Sequence, residues 1–512
     1  MADAETLEAN VYFERGVQFY NSGNYKDALS NLNQAIFLAD ASASFLPKAH
    51  LYRGMIFDYV HHNGYAAVMD YHAYLKQTSA NRSKVLALFA EAAFNQGIIY
   101  RRLLNSSVNI DRDHYTYLLT LAKEPQSSFV TKDNLPYLHY FRGVCWFLAG
   151  RFSEAMTDFK EVPPGTPVSS LAKVRFATCL YLIGRQQEAD KRFTEIDLKH
   201  PLLMTEFYRA YADCGKPMDP QAVSACEKAF FSLKEKSAQK QGRVNLGLIY
   251  LSRGETEKAL AQVASLEPIP DFSPSFAIVF RGETKPFSAE YYDPSIYYLK
   301  QRIFFEVAKG AYAELKTDPV KFGRCLLYMG KTDAAKAVFE GVDDPIATIH
   351  LGIAQKLLGD EKGAKATQDR LPQSPKFMEL LDYHLAEYGF LKESRRRETT
   401  LSAGQSGYLF LQKGIYEKSE KRSDWLTVAA EQFEASIAKS GGDVYCDPLL
   451  LIGLFDAHYH NRHFSIAGAI AETLSIRYPD GVALKSALNI ISEIQKVWPL
   501  GQMPLPHWST IP

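Results

Sequence analysis

Residues 143–162 read GVCWFLAGRFSEAMTDFKEV, and four of them, Gly143, Ala155, Phe159 and Val162, are separated by steps of 12, 4 and 3 residues. The same steps recur 34 residues later at Ala177, Ala189, Phe193 and Ile196. They return at Ala210, Ala222, Cys226 and Ala229, at Gly247, Ala259, Val263 and Leu266, at Gly16, Ala28, Leu32 and Ala35, and at Gly323, Ala335, Phe339 and Val342. Gly352, Ala364, Gln368 and Leu371 are a weaker copy. A fixed period of about 35 residues marks an array of helical pairs. The small residue in the first helix of each pair lets the second helix approach closely, and the bulky and small residues of the second helix fill the gap between them.

The bulk numbers suit such an array. A chain of 512 residues exceeds one compact core, but an array of repeats grows without that limit because each repeat rests on its neighbours. Hydrophobic residues at 46% and charged residues at 23% are those of an ordinary folded protein. The charge balance, 58 basic against 58 acidic residues, lacks the basic excess that a nucleic-acid footprint needs, so no nucleic-acid partner is expected. The six cysteines form no C-x-x-C pair and read as buried free thiols in a reducing compartment. The acidic start, Met1-Ala2-Asp3-Ala4-Glu5, is unlike a secretory signal, and no run of apolar residues is long enough to span a membrane. The expectation is a cytoplasmic protein.

The first pair reads as helices over 10–21 and 25–38, joined at Ser22-Gly23-Asn24, and a second pair occupies 46–77. Residues 82–124 read as a degenerate pair interrupted near Asn105 to Arg112, and residues 135–266 keep good period over four pairs. The period breaks at 267–294, where Pro268, Pro270, Pro274, Pro286 and Pro294 forbid a helix. Phe272, Phe276, Phe280, Phe287, Tyr291 and Tyr292 make this stretch unlike a floppy linker, and an ordered loop or short hairpin is expected. The expected organisation is an N-terminal array over 1–266, this Pro/aromatic-rich insertion over 267–294, a C-terminal array over 295–496 and a Pro/Trp tail over 497–512. The tail carries Trp498 and Trp508 among four prolines and reads as a cap on the last helix, with docking on a partner subunit as the alternative.

The Gly143–Phe159 and Ala177–Pro201 stretches resemble the tetratricopeptide repeat (TPR), whose pattern runs from a small residue near an aromatic to Ala, Phe, Ala and often Pro. The resemblance implies an all-α, TPR-like α-solenoid, a right-handed superhelix of about ten to twelve antiparallel pairs. It also implies that the first helix of each pair lines a concave groove. Positions three before, one after and four after each small anchor share one helical face. They select Phe13, Val17 and Tyr20; Leu51, Met55 and Asp58; Tyr140, Val144 and Phe147; Val174, Thr178 and Tyr181; Val244, Leu248 and Leu251; Val320, Arg324 and Leu327; and Ile349, Ile353 and Lys356. About half of these side chains are expected in inter-repeat core. The rest form an apolar strip of the kind that binds an extended or helical segment of a partner protein. The TPR co-chaperones that grip an acidic C-terminal peptide place Lys and Asn where this chain has Phe13, Val17 and Tyr52, so that carboxylate clamp is absent.

Candidate chemistry is sparse. No G-x-x-x-x-G-K, G-x-G-x-x-G or H-E-x-x-H occurs, and Gly404-Gln405-Ser406-Gly407 lacks the spacing of a nucleophile elbow. His458, His460 and His463 read as a solvated turn between two helices rather than a metal site. Arg395-Arg396-Arg397 reads as a solvated helix end. No catalytic residue, cofactor or metal is expected. The functional expectation is a non-enzymatic scaffold subunit of a protein assembly, with transport, ciliary and cytoskeletal complexes as the analogy and an adaptor for transient clients as the alternative.

Overall fold

The structure is a computed structural model that describes residues 2–60, 64–121, 135–264, 277–280, 283–286, 294–388, 403–417, 419–439 and 448–461, with a few single residues beside these stretches. The described residues form helices and one two-stranded hairpin. In chain order α1 (Ala2–Asn21) pairs with α2 (Tyr25–Leu38) and α3 (Leu46–Tyr59) with α4 (Gly64–Gln77), followed by a single long helix, α5 (Arg82–Leu121). Four further pairs are α6 (Leu135–Leu148) with α7 (Phe152–Lys160), α8 (Ser169–Leu182) with α9 (Gln186–Thr194), α10 (Pro201–Asp213) with α11 (Pro220–Phe231), and α12 (Lys236–Ser252) with α13 (Thr256–Ala264). After the strands β1 (Ala277–Phe280) and β2 (Glu283–Pro286) come α14 (Pro294–Leu315), then α15 (Pro319–Tyr328) with α16 (Thr332–Glu340) and α17 (Pro345–Leu357) with α18 (Glu361–Gln368). The last described helices are α19 (Pro375–Glu387), α20 (Ala403–Tyr416), α21 (Arg422–Lys439) and α22 (Pro448–His460).

The anchors do what their spacing demands. A Cβ placed on Gly143 of α6 would lie 2.6 Å from Cε1 of Phe159 on α7, and one on Gly54 of α3 would lie 2.9 Å from Tyr71 on α4. Gly323 faces Phe339, and Gly407 of α20 faces Phe433 of α21 in the same way. Ala155, Ala189, Ala335 and Ala364 are fully buried where the second helix of each pair meets the first. The turn between the helices is equally regular. Gly150 has φ 74° and Gly184 φ 87°, a left-handed conformation that glycine adopts at no steric cost. The next amides, of Arg151 and Arg185, reach back to the carbonyls of Trp146 and Leu180 at 2.9 Å, which ends the first helix. Asp219-Pro220, Asp318-Pro319 and Asp344-Pro345 start helices, each aspartate accepting amide hydrogen bonds from the first turn.

Two pairs share a further staple that the 12-4-3 spacing does not contain. In α3 and α4 the guanidinium of Arg53 donates to both oxygens of Asp70 at 2.8 Å, and His50 Nδ1 lies 2.8 Å from the same carboxylate. In α6 and α7 Arg142 and His139 meet Asp158 in the same arrangement, at 2.6–2.7 Å and 3.2 Å. Both aspartates are buried. A bidentate guanidinium satisfies a carboxylate that would otherwise be costly to bury.

Residues 82–121 differ from the degenerate pair expected there. They form one helix of 40 residues. Asn105, Ser106 and Ser107 are weak helix formers rather than breakers, and Leu104, Val108, Tyr115 and Leu119 bury one continuous helical stripe through them. Within 267–294, where an ordered loop or short hairpin is expected, the described strands β1 and β2 pair antiparallel, with Ala277 opposite Pro286 and Phe280 opposite Glu283. The expected terminal helix, the tail over 497–512 and the Arg395–Arg397 run lie outside the described residues.

The chain gathers into two compact units, each made of two separate stretches: Met1–Ile99 with Gln301–Gln373, and Tyr100–Lys300 with Ser374–Pro512. These boundaries do not coincide with the linear partition at 267–294. In the first unit the start of α5 packs on α14 and α15. Phe94 lies 6.2 Å from Phe305, 6.3 Å from Tyr312 and 6.0 Å from Tyr328, ring centre to ring centre. Glu91 accepts from Tyr312 Oη at 3.0 Å and pairs with Lys321, and Arg82 pairs with Glu314 at 2.9 Å. In the second unit a core of Phe147, Phe159, Val174, Leu180, Phe193 and Phe207 runs continuously from α6 to α10.

Adding one methyl separates the tight anchors from the loose one. Gly143→Ala should cost about 1–3 kcal/mol, because the Phe159 ring has nowhere to retreat in the core. At Gly352 the nearest atom to an added Cβ is Gln368 Cγ at 3.5 Å, so Gly352→Ala should be neutral or gain up to about 1 kcal/mol of helix propensity. Denaturant unfolding of the two variants checks this, and equal effects would refute the packing described.

Candidate functional site

Burial divides the groove positions selected from the sequence. Tyr140, Phe147, Val174, Val244, Leu248, Leu251, Leu327 and Ile353 are buried in the packing between helices. Phe13, Val17, Tyr20, Leu51, Met55, Val144 and Tyr181 remain half-buried. Of these, Tyr181 is engaged by the Lys216 ammonium, 5.1 Å above its ring, which Phe193 and Tyr211 also flank. Val144 packs against the core of α6 to α10.

The remaining five lie together on α1 and α3. Rings there form a row: Tyr25 to Tyr20 at 5.6 Å, Tyr20 to Tyr52 at 5.0 Å, Tyr52 to Phe13 at 6.5 Å, and Phe13 to Phe45 at 5.3 Å. The first two contacts are edge-on and the last is stacked, both favourable geometries for aromatic pairs. Tyr20 Oη donates to Met55 Sδ at 3.9 Å, which ties α1 to α3 across the row. Phe45 is buried under one end, whereas Tyr59 is exposed beyond the other end of α3. Tyr52 and Tyr25 were missed by the one-face rule. Tyr52 sits two residues before the anchor Gly54, and Tyr25 opens the second helix, so neither shares the phase of the selected positions.

The first helices of the second unit carry a polar chain where the sequence suggested an apolar channel. Arg175 of α8 donates to Glu206 of α10 at 2.8 Å, and Gln241 of α12 donates to the other Glu206 oxygen at 2.9 Å. Asn245 of α12 donates to Thr205 at 3.0 Å and accepts from Arg209 at 3.4 Å, while Arg209 also faces Asp213 at 3.4 Å. All of Arg175, Thr205, Glu206, Arg209 and Asn245 are buried. Burial alone would raise the Glu206 carboxyl. Arg175 and Arg209 outweigh it, with help from the Asn245 and Gln241 amides, and hold the group below the usual glutamate range. The chain fixes three successive repeats in one register, and its burial keeps it from meeting a ligand directly.

His458 and His460 correct another expectation. They lie on the last turn of α22 and are buried, not solvated. The hydrophobic run Leu449-Leu450-Leu451-Ile452 carries the helix on through them. Burial, with Arg112 and Arg422 nearby, pushes the His460 imidazole down to about 3, so it is neutral at physiological pH. Cys145, Cys179, Cys214, Cys226 and Cys325 are buried free thiols, and desolvation pushes all but the first up to about 12. Cys446 lies outside the described residues.

No family model matches the sequence, and no curated protein matches it. Among solved structures, a tetratricopeptide repeat protein from Parabacteroides merdae is 18% identical over 51% of this chain and 92% of its own, with a TM-score of 0.22. The Cut9–Hcn1 hetero-tetramer of the APC/C is 10% identical over 94% of this chain and 96% of its own, with a TM-score of 0.25. A human IFIT1 dimer bound to m7Gppp-AAAA is 13% identical over 89% and 94%, with a TM-score of 0.23. Such scores are far from a whole-chain superposition.

Two measurements check the buried polar groups. The folded-state pKa of Glu206 lies below its unfolded value of about 4.3, so the stability this group supplies is present above that pH and is lost as pH falls through the lowered value. Glu206→Gln, which leaves Arg175 without its counter-charge, should cost about 3–5 kcal/mol at pH 7 and distinctly less below pH 4. An unfolding difference that does not shrink with acid would contradict the assignment. In the second test, Cys145, Cys179, Cys214, Cys226 and Cys325 should resist a thiol reagent in the native protein and react fully in denaturant; fast native labelling of any of the five by mass spectrometry would place it outside the core.

Glycine-to-ring packing, left-handed turns and the recurring pair of a long and a short helix define one architecture: the chain has a TPR-like helical-repeat fold.

Proposed function

We propose that the protein is a non-enzymatic scaffold subunit, and that the aromatic row on α1 and α3 grips an extended or helical segment of a partner protein. The observation that carries this reading is the contrast between repeats. Later first helices bury most of their groove positions, and the half-buried Val144 and Tyr181 there are already engaged by the core and by Lys216, whereas Phe13, Val17, Tyr20, Leu51 and Met55 stay half-buried together beside Tyr52. Half-exposed rings already ordered by one another lose little entropy on docking, and rings dominate the energetics of such surfaces. Met55 supplies a polarizable, adaptable contact at the centre of the row. Among the described residues no group of three or more metal-ligating side chains converges, and no helix is long and apolar enough to cross a membrane.

The test replaces Tyr20, Tyr52 and Met55 together by Ser and uses the protein as bait in native extract. Partner capture should drop at least tenfold while helical circular dichroism is kept. Replacing Tyr140 and Phe147 by Ser serves as the contrast: both are buried, and truncating two core rings should cost several kcal/mol and unfold the second unit. Undiminished capture by the first variant would remove the row from the interface.

A further inference from the structure

We propose that His458 and His463 form a two-histidine clip for a divalent transition-metal ion such as zinc or copper. Just past the end of α22 the His463 amide donates to the His458 carbonyl at 2.9 Å. The His463 carbonyl in turn accepts from the amides of Ile466 and Ala467, at 3.1 and 3.0 Å, which holds the backbone of His463 at the start of the next helical turn. Nδ1 of His458 lies 3.3 Å from Nδ1 of His463, with the ring planes at 39°. Two nitrogens bound to one tetrahedral ion at 2.0–2.1 Å are separated by about 3.3 Å, so the pair spans one edge of such a site.

The far nitrogen of His458, Nε2, lies 3.9 Å from Glu434 Oε1. At that distance the carboxylate places negative charge near the ring without a hydrogen bond to it. His463 is exposed, so solvent reaches the clip and water can fill the remaining coordination positions. His460 takes no part. It is two residues from His458, on a different face of the helix, and Arg112 and Arg422 beside it disfavour a cation. The chemistry is that of imidazole donors, which suit zinc and copper over magnesium and calcium.

The test uses the full chain stripped of metal with a chelator, then titrated with Zn²⁺ by calorimetry and with Cu²⁺ by electron paramagnetic resonance. One saturable zinc site, two-nitrogen hyperfine structure from bound copper and a metal-dependent rise in Tm are expected. All three should vanish in His463→Ala, whose exposed position lets helicity and the metal-free Tm stay as in the parent chain. The proposal is overturned if neither ion shows saturable binding, or if His463→Ala binds as the parent does. A copper spectrum with a single nitrogen in the parent chain would equally overturn it.

Discussion

Two helices can lie side by side only as closely as the side chains between them permit, and in this protein the limit is set by a ring lying on bare backbone. Phe159 sits over Gly143 so tightly that no β-carbon fits. The same geometry recurs at Gly323 with Phe339 and at Gly407 with Phe433, in stretches that share little else. Dispersion is strongest where two surfaces touch without a gap, and a flat ring on a glycine achieves that over its whole face. The short second helix, the left-handed glycine in the turn and the buried alanine one turn before the ring all follow from keeping that ring in place. The His–Arg–Asp staples at Asp70 and Asp158 reinforce the same pairs with charge.

This dependence explains what could be read in the chain before its structure. Gly143 and Phe159 lie sixteen residues apart and touch, so the constraint is written at short range and returns with the repeat. The boundaries of α2 and the pairing over 46–77 follow directly. Residues 105–112 misled because Asn and Ser clusters suggest a break, whereas the stripe of Leu104, Val108, Tyr115 and Leu119 keeps the helix going through tertiary burial. Propensity is a weak prior that packing overrides. The burial of His458 and His460 was hidden for the same reason, since it depends on neighbours far away in the chain.

The proposed interaction surface was legible in part. A single-face rule finds Phe13, Val17 and Tyr20 because one helix supplies them, but Tyr52 and Tyr25 join the row from other phases and other helices. The rule also treated every repeat alike. In the second unit the first helices approach one another through Arg175, Glu206, Gln241 and Asn245, and hydrogen-bond complementarity across three helices leaves no periodic mark in a single sequence. Charged residues at buried positions look, in one dimension, like charged residues at the surface.

The interleaving of the two units has a consequence for synthesis. The apolar side of early α5, with Ala90, Ala93 and Phe94, is completed by Phe305, Tyr312 and Tyr328, more than two hundred positions later. At a translation rate of about 5–20 residues per second, that surface waits about 10–40 s for its counterpart to leave the ribosome. Closing a loop of that size rather than one of about 20 residues adds about 2 kcal/mol of chain entropy, a modest thermodynamic burden. The kinetic burden is larger, because most arrays of this kind fold from neighbour to neighbour as they emerge. Here the apolar side of early α5 stays uncovered until the middle of the chain has been made. A fragment ending before residue 301 would never receive what its fifth helix is shaped to meet.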